Sequence, residues 1–242
     1  EVFLNSVMES MKNERMQTDL ITNVSHDIKT PLTSIINYVD LLKRENIENE
    51  KAKGYIEVLE QKSQRLKHLT EDLVEASKIS SGNIKLECTQ IQMQEMIYQA
   101  GGEFADKFEI KGLKLIENLP KEPLYIRADG RRLWRVLENL FNNVSKYAMP
   151  NTRVYVDLID LGTEVKFSIK NISEQRLNIE AKDLTERFIR GDISRSTEGS
   201  GLGLSIAKNL TELQGGKFFV YLDGDLFRVT ILFPKLEALP ED

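Results

Sequence analysis

Lys78-Ile79-Ser80-Ser81-Gly82-Asn83-Ile84-Lys85-Leu86-Glu87 is the stretch where the chain changes character. Before it, the first eighty residues hold a single proline, Pro31, a single glycine, Gly54, and almost no turn chemistry. Val24, Ile28, Leu32, Ile35, Val39 and Leu42 recur at helical spacing. After a polar stretch around Glu45 to Glu50, a second stripe runs Tyr55, Ile56, Leu59, Leu66, Leu69, Leu73 and Ala76. Two narrow apolar stripes joined by a short polar segment predict an antiparallel helical hairpin. The first helix is expected from about residue 3 to 44, roughly 60 Å at 1.5 Å per residue. One partner helix cannot cover its apolar face, so two hairpins are expected to pair as a dimeric four-helix bundle.

After the break the texture differs. Ile84 to Glu87 alternates like a strand, and residues 91 to 109 carry a helical pattern. Leu113 to Leu119 and Leu124 to Arg127 read as short strands around Pro120-Lys121-Glu122-Pro123. A helix is predicted from Arg131 to Tyr147, stopped by Met149-Pro150. Strands follow at Arg153 to Asp160 and Glu164 to Lys170, then a polar loop, then a helix at Leu202 to Gln214. A hairpin, Lys217 to Leu222 with Leu226 to Phe233, turns through Asp223-Gly224-Asp225. Helices intermixed with a mostly antiparallel sheet predict an α+β sandwich. The expected organisation is a hairpin at 1–80, a linker at 81–85, the sandwich at 86–236 and a tail at 237–242.

With 242 residues, 40% hydrophobic and 29% charged, the chain has the composition of a globular protein. A net charge of −5, without a basic run at either end, gives no footprint for nucleic acid. No stretch reaches the ~20 apolar residues of a membrane helix. The single cysteine, Cys88, excludes an internal disulfide framework. The first residues are Glu1-Val2-Phe3, and the chain is expected to be a segment of a longer protein.

Three segments carry chemistry. In Asn23-Val24-Ser25-His26-Asp27-Ile28-Lys29-Thr30-Pro31-Leu32, a histidine stands at the start of the apolar seam, beside a carboxylate and five residues before a proline. Neutral imidazole is a nucleophile near neutral pH, and its second nitrogen is free to be held by a carboxylate. Thr30 shares a face with His26 at i+4. A lone His–Asp pair is ordinarily a solvated surface pair, and His68 is read that way. In the segment from Arg132 to Tyr147, Asn139 and Asn143 share a face, with Lys146 and Tyr147 a turn further on. Amide oxygens suit Mg²⁺, and a lysine can neutralise the phosphates that share it. In Gly199-Ser200-Gly201-Leu202-Gly203-Leu204-Ser205, glycines precede a helix whose free N–H groups suit phosphate oxygens. It does not follow a strand of a βαβ unit, so a dinucleotide-binding reading is poor.

Together these segments resemble the sensor histidine kinases of two-component systems over nearly the whole chain. Ser25 to Leu32 is similar to their phosphoacceptor box. Arg132 to Tyr147 resembles their asparagine box, Phe188-Ile189-Arg190-Gly191-Asp192 their phenylalanine box, and Gly199 to Ser205 their second glycine box. The resemblance implies a histidine-phosphotransfer hairpin followed by a GHKL-type ATPase domain, using ATP and Mg²⁺. It implies His26 as phosphoacceptor, with Asp27 and Thr30 as helpers, and Asn143 as Mg²⁺ ligand beside Asn139, Lys146 and Tyr147. Phe188, Arg190 and Arg195 belong to the expected lid, and Gly199, Gly201, Leu202, Gly203 and Leu204 to the phosphate-facing loop.

One element departs from the pattern. Where the family has Asp-x-Gly-x-Gly, this chain reads Lys170-Asn171-Ile172-Ser173-Glu174-Gln175, with Asn171 at the aspartate position and no glycine. An amide oxygen still accepts the adenine amino hydrogen, but more weakly than a carboxylate. The implied partners are a response-regulator receiver domain and a second copy of the chain. The implied location is the cytoplasmic portion of a cell-membrane protein. The alternative is a non-catalytic dimeric nucleotide sensor or docking scaffold for the regulator.

Overall fold

A computed structural model describes residues 28–45, 47–82, 84–175, 184 and 201–237. The chain divides into two compact units between Ile84 and Lys85.

The first unit is a helical hairpin: α1 (residues 28–44 of the described chain) and α2 (Glu50–Ser80). Pro31 lies in the first described turn of α1, and the hydroxyls just after it bond back to carbonyls. Thr33 Oγ1 donates to Lys29 O at 2.8 Å and Ser34 Oγ to Thr30 O at 3.3 Å. Asn49 caps α2, its side-chain oxygen accepting from the Lys51 and Ala52 amides. Leu32, Val39, Ile56 and Ala76 are buried, and Lys43 Nζ meets both carboxylate oxygens of Glu60, at 2.8 and 2.7 Å. Much of the rest of the predicted stripes is uncovered, Leu69 and Leu73 being half-buried and Val24 lying outside the described residues. Ile28, Ile35, Leu42, Tyr55, Leu59 and Leu66 are exposed, Ile35 at 47% against 3% for Leu32. The predicted start of the first helix near residue 3 lies outside the described residues.

The second unit contains β1 (Thr89–Gln92), α3 (Met93–Ile110), β2 (Lys114–Asn118), β3 (Tyr125–Ala128), α4 (Gly130–Tyr147), β4 (Arg153–Asp160), β5 (Glu164–Ile172), α5 (Gly203–Leu213), β6 (Lys217–Asp223) and β7 (Leu226–Leu236). Its sheet runs β1-β3-β7-β5-β4-β2, with β6 also on β7. Only β2–β4 is parallel among the described pairings. One edge of β7 pairs with β5 over Leu226 to Pro234. The other is shared in succession by β6 over Leu226 to Leu232 and β3 at Lys235 and Leu236.

Alternation explains the layering, interrupted in β5 by the buried Ser168. Val154, Val156 and Leu158 of β4, Val165, Phe167, Ile169 and Asn171 of β5, and Phe227, Val229, Ile231 and Phe233 of β7 are all buried. Their neighbours carry polar groups: Asp157 accepts from Asn118 and Lys170, and Arg228 lies 4.5 Å over the Tyr221 ring. The buried stripes of α3 and α4 meet through Phe104, Phe108 and Phe141, with centroids 5.6 to 6.2 Å apart. Four buried positions of α4, Leu133, Val136, Leu137 and Leu140, repeat at the spacing of one helical face.

One expected strand is displaced. Ile84 to Glu87 is irregular and the first strand is Thr89–Gln92. The reason is a distant partner: the Glu87 amide donates to the Asp129 carboxylate at 2.9 Å instead of entering a ladder.

Candidate nucleotide and phosphoacceptor sites

The helix that carries the asparagines is fixed at its start by Asp129. This residue caps α4, its Oδ1 accepting from the Arg131 and Arg132 amides at 3.0 and 3.2 Å while Oδ2 accepts from Glu87. Its own amide donates to Gln214 Oε1 at 2.9 Å, and Gln214 Nε2 donates to Leu210 O at 2.7 Å. The start of α4 and the end of α5 are thereby tied together. Burial pushes the Asp129 carboxyl up, but the three backbone N–H bonds and the Arg132 charge outweigh it and leave it below its ordinary range.

Asn139 and Asn143 are half-buried on one flank of the buried α4 stripe. Gly203, the first residue of α5, lies directly on Asn139: a Cβ there would stand 3.2 Å from Asn139 Oδ1. A side chain at Gly203 would therefore crowd the asparagine. The Asn139 Nδ2 is buried with no hydrogen-bond partner among the described residues. Gly201 has φ +73°, a left-handed conformation that favours glycine. Leu202 is buried, and its carbonyl starts α5 by accepting from the Ile206 amide at 2.8 Å. No side chain caps α5, and Leu204 follows in its first turn.

At the other end of α4, Lys146 and Tyr147 are joined to the end of β5. The Met149 amide donates to Ile172 O at 2.8 Å, the Glu174 amide donates to Tyr147 O at 2.9 Å, and Ala148 bridges Ser173. This brings the last turn of α4 beside Asn171. Asn171 is 3% exposed and on the helix-facing side of the sheet. Its Nδ2 donates to Ile172 O at 3.0 Å, while its Oδ1 has no hydrogen-bond partner among the described residues. A buried acceptor left unmade costs ~1–3 kcal/mol, which a donor from a bound molecule would recover.

The structure thus brings together Asn139, Asn143, Lys146, Tyr147, Asn171, Gly201, Leu202, Gly203 and Leu204 within one unit. His26, Asp27, Phe188, Arg190, Arg195 and Gly199 lie outside the described residues. Thr30 is exposed on α1 of the other unit. His68 bonds its own helix, Nδ1 to Gln64 O at 2.7 Å, as a solvated helical histidine does.

Residues 16–82 match the family model of the His Kinase A (phospho-acceptor) domain. Residues 128–237 match that of the histidine kinase-, DNA gyrase B-, and HSP90-like ATPase. The chain belongs to the sensor histidine kinases. Sensor histidine kinase WalK of Bacillus subtilis (strain 168) is 28% identical, over 98% of this chain and 39% of its own length. Sensor protein VanSC of Enterococcus gallinarum is 32% identical, over 92% of this chain and 62% of its own. The chain spans less than two thirds of these relatives. Among solved structures, full-length ShkA in complex with AMPPNP superposes with a TM-score of 0.77 at 21% identity, covering 91% of this chain and 46% of that one. Histidine kinase ThkA in complex with response regulator protein TrrA gives 0.62 at 23% identity, covering 95% and 66%. These two likenesses bear on the fold alone.

Within this histidine-kinase frame the donor set fits Mg²⁺ of the phosphate-sharing kind. Among the described residues no three His, Cys, Asp or Glu side chains gather to form a cage. Mg²⁺ is a hard cation that takes oxygen ligands and keeps several waters while sharing phosphates, and the side-chain oxygen of Asn143 is a donor of that kind. No helix among the described residues is long and apolar enough to cross a membrane. The sequence reading missed the residues whose long-range bonds tie the two ends of α4 to other elements: Asp129 with Gln214, and Lys111, whose Nζ donates to Lys146 O. Asp129 carried a signal, an aspartate just ahead of a helical pattern. Lys111 and Gln214 carried none, because their partners lie far along the chain.

Proposed function

We propose that this chain is the Mg²⁺- and ATP-dependent core of a sensor histidine kinase, which phosphorylates His26 and passes the group to an aspartate of a response regulator. The observation that carries the nucleotide reading is Asn171 Oδ1, a buried acceptor without a partner at the position where adenine would donate. It speaks against a docking scaffold that binds no nucleotide, since an unused pocket has no need of an orphaned acceptor.

In the reaction one imidazole nitrogen of His26 attacks the γ-phosphorus of ATP. The bond from that phosphorus to the β–γ bridging oxygen breaks, ADP departs, and the imidazole proton passes to solvent or to Asp27. Asn171 holds the adenine, Asn139 and Lys146 face the phosphates, and the backbone amides of the first turn of α5 face the same anion. Bound Mg²⁺, held by Asn143, would neutralise charge on the phosphates. Thr30 would orient a water for hydrolysis of the regulator's phosphoaspartate. The exposed Ile28, Ile35, Leu42, Tyr55, Leu59 and Leu66 support a homodimer through the hairpin. The functional segments are 1–80 for dimerisation and phosphotransfer and 86–236 for catalysis, joined at 81–85. The family resemblance implies that the chain works as the cytoplasmic portion of a cell-membrane protein.

The test is incubation with γ-labelled ATP and Mg²⁺ beside His26→Gln. Acid-labile label present in the wild type and absent from the variant is expected. No incorporation at millimolar ATP overturns the kinase reading, and label retained in His26→Gln removes that residue from its role.

A further inference from the structure

Lys111 stands at the end of α3, well outside the segments assigned to nucleotide, yet its ammonium reaches the end of α4. The backbone there is fixed. The Leu113 amide donates to Phe108 O at 2.8 Å and the Gly112 amide to Glu109 O at 2.9 Å. This is the paired-bond helix stop built on a left-handed glycine, and Gly112 has φ +66°. Its hydrophobic contact pair is present too, since Phe108 and Leu113 are both buried. Lys111 O accepts the Asn151 amide at 3.1 Å, which anchors the loop after α4 to the same point.

From this fixed base, Lys111 Nζ donates to Lys146 O at 2.8 Å and to Glu174 Oε2 at 3.3 Å. The Lys146 carbonyl is one of the last four of α4, which have no acceptor role inside the helix. A cation there also meets the negative end of the helix dipole. Glu174 belongs to the segment after Asn171 and donates its amide to Tyr147 O at 2.9 Å. One ammonium thus touches both halves of the site: the turn bearing Lys146 and Tyr147, and the strand end bearing Asn171.

The chain lacks the glycines that would let backbone approach the base at residues 172–175. Backbone bonds of Met149 and Tyr147 to the strand end set the join between Asn171 and the α4 turn, and the Lys111 ammonium adds a side-chain tie across it. We propose that Lys111 is a positioning residue for the nucleotide site, clipping the last turn of α4 to the end of β5 so that Asn171 and Lys146 address one ligand. The clip rests on the nucleotide reading above and adds a residue to it. Of its two bonds the one to the Lys146 carbonyl dominates, because the Glu174 side chain is 51% exposed and Lys111 only 19%.

Affinity of the full chain for a non-hydrolysable ATP analogue with Mg²⁺ is measured by calorimetry, well below the unfolding temperature of each variant. Lys111→Met is expected to weaken binding about tenfold, while Lys111→Arg, which still donates and carries charge, stays within about threefold. Glu174→Gln is expected to change affinity less than about twofold. Lys217→Met, which removes a lysine paired with Glu164 elsewhere on the sheet, should leave affinity unchanged. Unchanged binding by Lys111→Met, even with a lowered unfolding temperature, overturns the clip. So does a loss in Glu174→Gln equal to that in Lys111→Met. If Lys111→Met does not fold, Lys111→Gln takes its place, and wild-type affinity there overturns the proposal. If the wild type itself binds no nucleotide, the nucleotide reading falls and the clip with it, which separates the two failures.

Discussion

Replacing Asp129 by alanine should unfold the ATPase unit well before the wild type, and the structure sets the size of the effect. The carboxylate accepts three backbone N–H bonds, from Glu87 at 2.9 Å, Arg131 at 3.0 Å and Arg132 at 3.2 Å. Loss of an N-cap aspartate costs about 1 kcal/mol, with a range of roughly 0.5–2. The Glu87 amide, left without its acceptor, adds ~1–3 kcal/mol. Relief of the buried charge subtracts from this, giving a net of roughly 2 kcal/mol and a fall in midpoint of about 4–8 °C for a unit of this size. The only tryptophan, Trp134, lies on α4 five residues after the cap, so its fluorescence reports this unit specifically. The effect has a pH signature. The folded-state pKa is depressed, so the stabilisation is present above the unfolded value of about 3.9 and is lost as pH falls through the folded one. The gap between wild type and Asp129→Ala should therefore be full at pH 7 and shrink below about pH 4. A midpoint within about 1 °C of wild type at pH 7 would refute the cap as a structural node. A gap undiminished at pH 3 would refute its charged origin.

Further perturbations separate binding from folding. Asn171→Leu removes both the orphaned acceptor and one hydrogen bond, so unfolding free energy should move by less than about 1 kcal/mol. Its nucleotide affinity should fall at least tenfold by the same calorimetry; retained affinity would clear Asn171 of its role. Asn171→Asp should tighten nucleotide binding by restoring a charged acceptor, and weaker or unchanged binding contradicts that account. Phe141→Ala takes the central ring from the Phe104–Phe108–Phe141 cluster and should cost about 3–5 kcal/mol in urea unfolding. Gly112→Ala combines a left-handed φ with a Cβ driven into the Asn151 side chain, and should destabilise by more than about 1 kcal/mol.

Local periodicity carried most of the fold into view. The α4 stripe and the alternation of β4, β5 and β7 are written in neighbouring residues, so their spans could be read directly. Ile84 to Glu87 was misread because apolar–charged alternation imitates a strand, while the deciding bond comes from Asp129, 42 positions away. The site divides in the same manner. Asn139 and Asn143 are visible at i,i+4, and Asn171 at a strand end. The Lys111–Lys146 bond spans 35 positions and the Asp129–Gln214 bond 85. Long-range polar bonds leave no period behind them, and only coordinates reveal them.

The pairing pattern of β7 bears on how this domain comes into being. It is the last strand of the sheet in chain order, yet β3, β5 and β6 all hydrogen-bond to it. During synthesis those three strands leave the ribosome with unpaired edges, and the sheet cannot close until residues 226–236 have emerged. Pairing β3 with β7 then joins segments more than a hundred residues apart, the kind of distant closure that slows folding and exposes edges to aggregation. A nascent chain halted before Leu226 should be a ready substrate for chaperones, while the hairpin, local in its contacts, has already folded.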